Sequence, residues 1–177
     1  MDRRDGLRVT ILIAVTALTR LVPHPPNLVP TGALALVSGS VLGGRWLAYG
    51  VPLAGMLAAD LVLGLHRQMV LVYGCLAAVV WLGARLGGRR GLVPVSAAAV
   101  AGSTLFFVVT NLGVWAFDGL YALDLEGLMA CYVAALPFYG KSLIADLLYS
   151  WVLFGLLDWL DRGVSARPAE PLAPERL

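Results

Sequence analysis

Charge is what this sequence has least of. Only 14% of its 177 residues are charged, against about 25% in ordinary soluble domains, while 59% are hydrophobic and the mean hydropathy is +0.82. So little polar surface cannot cover a water-exposed globule, which excludes a soluble domain. The net charge is +2, and no basic face is interleaved with aromatics, which excludes a nucleic-acid surface. Cysteine is nearly absent: Cys75 and Cys131 both fall in apolar stretches without CxxC spacing, so neither a disulfide framework nor a structural zinc site is expected. HExxH, GxSxG and a phosphate-binding glycine loop are missing, and GGRRG at 87–91 reads as a charged turn. No catalytic set and no intrinsic cofactor emerge from the sequence.

What is present is hydrocarbon in span-sized pieces. A spanning helix needs about 20 mostly apolar residues, so this length holds about six with short loops. Divided at Gly, Pro and charge clusters, the apolar segments predict helices near 7–22, 31–43, 46–63, 69–86, 93–115 and 138–160. The expected architecture is an all-α six-transmembrane-helix bundle forming one domain over residues 1–162. A seventh apolar stretch, LEGLMACYVAAL at 125–136, is too short to cross and predicts an extra short helix in the last outer loop. Residues 163–177, ending in ARPAEPLAPERL, are expected to be a disordered cytoplasmic tail. The N-terminus ends in Arg-Leu-Val-Pro rather than a small-x-small cleavage site, and reads as a retained first helix.

The basic residues set the orientation. With the N-terminus inside, Arg3, Arg4, Arg8, Arg45, Arg85, Arg89, Arg90, Arg162, Arg167 and Arg176 are cytoplasmic, leaving Arg20, Arg67 and Lys141 towards the outer side. Ten against three satisfies the positive-inside rule and predicts a multi-pass inner-membrane protein with both termini in the cytoplasm. The outer face is then built from 23–30, 64–68 and 116–137, and it carries both histidines, His24 and His66.

Ionisable side chains within spans need a partner, a cavity or a purpose, since each costs about 2.5–3.5 kcal/mol at the bilayer centre. Arg20, Asp60, Lys141 and Asp146 share one depth in the outer half. Two readings stand: a structural network in which Arg20 and Lys141 neutralise Asp60 and Asp146, and the floor of an outward-opening substrate cavity. Asn111 and Trp115, towards the outer end of the fifth helix, read either as an interhelical hydrogen bond and an interfacial aromatic or as the wall of a pocket. Tyr73 and Cys75 lie within two turns of the outer end of the fourth helix; Cys75 is either a buried small hydrophobe or a soft metal ligand. Cys131 reads as packing, and Ala54 with Ala58 as a close helix contact. The segment RLVPHPPNLVP at 20–30 has prolines at 23, 25, 26 and 30, so the first helix ends there in a stiff loop. It is expected to lie over the same face, with His24 at its crest and Asn27 turned inward as ligand contacts.

The order of RLVPHPPNLVPTGALALVSG, PLAGMLAADLVLGLH, VYGCLAAVVWLG, FFVVTNLGVW and CYVAALPFYGKSLIADLLYSWVLFG resembles a family of small six-span bacterial proteins sharing the PHPPN, Asp-Leu-x-Leu-Gly-x-His and TN-G-W runs. That family is similar to the substrate-binding S components of energy-coupling-factor vitamin transporters, most closely to the solitary cobalamin-uptake branch. The resemblance covers residues 16–157. It implies an S-component-like bundle that binds a vitamin, cobalamin or a related corrinoid, near the outer face and imports it. In the cobalamin branch a cysteine of the fourth-helix region ligates cobalt, and Cys75 matches that position. The first helix offers only Thr10 and Ala14 where coupled S components show AxxxA, which favours solitary function over docking on a coupling module. The alternatives are the same fold with another vitamin or a nucleobase-like ligand, a membrane-embedded thiol enzyme using Cys75 with His66 as base, and a structural subunit that docks through its Ala/Gly faces.

Overall fold

The computed structural model describes residues 14–15, 18–21, 28–43 and 45–165, with the side chains of 160, 161 and 163–165 excepted. These residues are helical apart from short connections. Helical residues 14–15 and 18–21 (α1) precede Thr31–Leu42 (α2), Trp46–Leu63 (α3), Met69–Leu86 (α4), Leu92–Phe117 (α5) and Leu125–Ser165 (α6). Four of them, α3 to α6, are long and apolar enough to cross a membrane. Their outward surfaces carry Trp46, Leu61, Val62, Val70, Val93 and Val152, all largely exposed. This is a surface that hydrocarbon solvates and water does not, and it fits a transmembrane helical bundle.

Connections alternate between two ends of different charge. The 43–45 and 87–91 turns hold Arg45, Arg89 and Arg90, and the 118–124 loop holds Asp118 and Asp124. The first is the basic end of the bundle and the second the acidic end. At the acidic end, Arg67 Nη1 donates to the Phe117 carbonyl at 2.7 Å and Gln68 Nε2 to Asp118 Oδ1 at 3.0 Å, tying the 64–68 connection to the end of α5.

The helix α2 is the core of the bundle although it has only 12 residues. At 1.5 Å per residue it is about 18 Å long, well short of a hydrocarbon layer of about 30 Å. Seven of the 12 residues, Ala33 to Gly39, are buried, and α3, α4, α5 and α6 all pack on it. The closest approach is to α4, where small residues let the backbones meet: a side chain on Gly39 would collide with the Val80 carbonyl, and one on Gly83 with the Leu36 carbonyl. Ser40 Oγ donates to the Gly87 carbonyl at 2.9 Å, which fixes the last turn of α2 beside the basic end of α4. Running parallel from there, α2 begins opposite the middle of α4.

The 125–136 stretch is no separate loop helix. It is the first third of α6, a continuous helix of 41 residues that passes through Pro137. Two things hold it in line. Pro137 is exposed, so its ring meets no neighbouring helix. On the opposite side this stretch is fastened to α5: Tyr132 Oη donates to the Val108 carbonyl at 2.6 Å, Cys131 Sγ to the Asn111 carbonyl at 3.5 Å, and the Tyr132 and Tyr139 rings both pack on Phe107. Asp124 caps the start, its Oδ1 accepting from the Gly127 N–H at 2.8 Å. Ala54 and Ala58, expected at a helix contact, are exposed, because α3 turns Val51, Gly55, Met56 and Ala59 inward instead.

Candidate functional site

Two carboxylates enter the interior of the bundle. Asp60, in the last turn of α3, is 1% exposed. The helix stops just after it at Gly64, whose φ of 109° suits glycine and whose N–H still reaches the Asp60 carbonyl at 2.8 Å. That turn leads the chain back over the carboxylate. Arg20 Nη2 of α1 donates to Asp60 Oδ1 at 3.0 Å, Tyr73 Oη of α4 donates to Oδ2 at 2.8 Å, and His66 Nε2 stands 3.6 Å from Oδ2. Arg20 Nη1 also lies 2.5 Å from Met56 Sδ. Asp60 thus joins α1, α3, α4 and the 64–68 connection, with both oxygens engaged.

Asp146, in the middle of α6, is held differently. Ser103 Oγ of α5 donates to its Oδ2 at 2.5 Å, and the Ala33 N–H donates to the same carboxylate. The second bond has a clear physical origin. The first N–H groups of α2 have no partner within their own helix, and Pro30 at the N-cap supplies no side-chain acceptor. Within an apolar bundle those donors need an acceptor from elsewhere, and α6 provides one. The approach is so close that a side chain on Gly32 would come within 2.5 Å of Asp146 Oδ1. The positive end of the α2 dipole, about half an elementary charge, faces the carboxylate. Among the described residues no cation stands within ion-pair distance of it.

Between the start of α2 and its neighbours lies a cavity of about 300 Å³. Its apolar wall includes Leu36, Met56, Leu76, Val79 and Phe106. Its polar residues are Arg20, Thr31, Ser103, Ser142 and Asp146, from α1, α2, α5 and α6. Thr31 Oγ1 is buried without a hydrogen-bond partner, which leaves one polar atom beside this space unsatisfied. No group of three His, Cys, Asp or Glu that could hold a metal ion occurs among the described residues.

Of the residues singled out in the sequence, the structure brings together Arg20, Asp60, Tyr73 and His66 in one cluster. It places Arg20 and Asp146 on one cavity. Lys141 is exposed and forms no ion pair among the described residues, so the expected Lys141–Asp146 neutralisation does not occur. The cause is helical spacing: Ser142 and Asp146, four residues apart, share the inward face, and Lys141, five residues from Asp146, lies off it. Asn111 and Trp115 do not line the cavity. Asn111 Nδ2 donates to the Phe107 carbonyl of its own helix at 2.7 Å, and Trp115 Nε1 to the Ala122 carbonyl at 2.8 Å, which closes the 118–124 loop. Cys75 is 3% exposed and faces the helix core rather than the cavity, although Val72, Leu76 and Val79 around it do line it. His24 and Asn27 lie outside the described residues. Ser103, Ser142, Thr31 and Gly32 were missed. A signal for them existed: a helix beginning directly after proline, without a capping side chain, needs an acceptor from another segment.

A family model described as a family of unknown function, DUF6580, matches residues 2–169. The chain belongs to the DUF6580 family. No curated protein and no solved structure matches it. In this DUF6580 member the matched region takes in every helix that frames the cavity and both interior carboxylates, so the site belongs to the family region and not to an appendage.

Proposed function

We propose that the chain is a solitary, S-component-like importer of the inner membrane, with both termini cytoplasmic, that binds a small vitamin-like or nucleobase-like solute and carries it inward. The observation that carries this reading is the cavity: about 300 Å³ at the buried start of a half-length helix, with Arg20 and Asp146 on the wall of an otherwise apolar bundle. Polar groups and a helix end at such depth are tolerated where they line a cavity, and transporter sites are commonly built around interrupted helices. The volume falls at the lower end of the range for small-molecule pockets. Ten basic residues on one side against three on the other support the orientation. The bundle would pass the solute by displacement of packed helices.

The size of the cavity favours a small solute over cobalamin, because a corrinoid is far larger than about 300 Å³. Cobalt ligation by Cys75 would also require α4 to turn its buried thiol towards the cavity. The thiol-enzyme reading is weaker still, as no hydrogen bond joins Cys75 to His66 among the described residues and the His66 ring lies beside Asp60 instead, 3.6 Å away. The test is retention by the purified protein in lipid nanodiscs, read by mass spectrometry, from a mixture of water-soluble vitamins and nucleobases that includes cyanocobalamin. One small member should be retained, and Gly102→Leu, which fills the cavity beside Val79, should lose it. Retention of cyanocobalamin that Cys75→Ala abolishes would overturn the small-solute reading in favour of the corrinoid. Retention of nothing, with Gly102→Leu indistinguishable from the parent, would remove the binding function altogether.

A further inference from the structure

The cavity's ionic groups are not balanced within it. The Arg20 charge is neutralised from behind by Asp60, at 3.0 Å and 1% exposed, which does not itself line the cavity. Asp146 lines the same space and has no cation within ion-pair distance among the described residues. Its two donors, the Ser103 hydroxyl and the Ala33 N–H, are neutral. A carboxylate oxygen has room for more than one donor, so acceptor capacity remains. The hydroxyls around it can accept as well: Ser103 Oγ has given its proton to Asp146, Thr31 Oγ1 has no partner, and Ser142 lies one turn before Asp146 on the cavity face of α6. The cation on the wall, Arg20, is paired with Asp60, so among the described residues no cationic donor serves Asp146. The rest of the lining is hydrocarbon with one aromatic ring, Phe106, which suits an apolar body and whose face favours positive charge.

We infer that the cavity takes a small organic cation, a protonated nitrogen carried on an apolar body of about one ring, with Asp146 as its counter-ion and the Ser142 and Thr31 hydroxyls as further acceptors. This rests on the reading of the cavity as a solute site and narrows its ligand class. An anionic solute would meet an unneutralised carboxylate. A neutral solute of the same shape would leave that carboxylate unpaired in a low-dielectric space.

The test uses three probes of one size, benzylammonium, benzyl alcohol and benzoate, titrated into the full-length protein in nanodiscs with binding read by calorimetry. Benzylammonium should bind about tenfold or more tightly than benzyl alcohol, the ratio expected for a hydrogen bond to a charged partner, and benzoate should bind weakest. Asp146→Asn keeps an acceptor for the Ala33 N–H, so α2 stays capped, and it should bring benzylammonium and benzyl alcohol to parity. Ser142→Ala, which leaves the α2 cap untouched, should weaken benzylammonium by about threefold to tenfold and spare benzyl alcohol. Equal or tighter binding of the alcohol or of benzoate to the parent protein would overturn the cation assignment and leave the cavity reading standing. So would a benzylammonium preference that survives Asp146→Asn. Binding of none of the three would remove both.

Discussion

Asp60, buried, and Asp146, half-buried beside a cavity, are two carboxylates inside one bundle, and they are held in opposite ways. Asp60 accepts from a guanidinium and a phenol of two other helices, with an imidazole 3.6 Å away, and both oxygens are engaged. Asp146 receives a hydroxyl and a backbone N–H, faces a cavity and has no cationic partner among the described residues. The first arrangement is a finished fastening that joins α1, α3 and α4 and takes nothing from outside the chain. The second leaves acceptor capacity open towards the cavity, which a small cationic solute would fill in the reading proposed above. A buried charge alone does not identify a site; the state of its partners does.

Removing each carboxylate separates the two most sharply. Asp60→Ala leaves Arg20, only 21% exposed, without its counter-charge, and should destabilise the protein by about 3 kcal/mol, read as thermal unfolding in detergent and as reduced expression. Asp146→Asn, by contrast, should change the unfolding midpoint little while altering ligand selectivity. Gly32→Ala comes next: the added methyl group meets Asp146 Oδ1, and a loss of about 2 kcal/mol is expected together with weaker solute binding, since the carboxylate must retreat from the α2 start. Single hydrogen-bond deletions are smaller. Tyr73→Phe should lower stability by about 1.5 kcal/mol and leave benzylammonium affinity unchanged, whereas Ser103→Ala should change that affinity. The smallest effect belongs to Lys141→Ala. A double-mutant cycle of Lys141 with Asp146 should show coupling below about 0.3 kcal/mol, against more than about 2 kcal/mol for Arg20 with Asp60.

Much of the scaffold was legible in the residues. The bounds of α3 and α4 coincide with the apolar runs 46–63 and 69–86, because each ends at glycine or charge that no span accommodates. The Arg20–Asp60 pair was legible too, as two opposite charges at one depth. What failed has a common cause: rules drawn from a helix in isolation. Pro137 was read as a boundary, but here its ring faces outward and the packing of Tyr132 and Tyr139 on α5 carries the helix through. Lys141 and Asp146 were paired by depth alone, although five residues along one helix put them on different faces. Asn111 and Trp115 were drawn towards the ligand by their depth, yet both donate to nearby carbonyls, a competition between backbone and pocket that spacing does not reveal. Ser103 escaped notice because a single serine in a span is ordinary until the carboxylate opposite it is known.

The half-length of α2 has an electrical consequence. A membrane potential falls across the whole thickness of the bilayer, at about 2.3 kcal/mol per elementary charge for each 100 mV. A solute resting on the buried start of a 12-residue helix would already stand partway down that gradient. For a monovalent cation beside Asp146 the work involved is about 1 kcal/mol per 100 mV at half depth. Under the importer reading, occupancy of this cavity would then follow the polarity of the cell, and the membrane voltage itself would supply part of the drive for inward movement.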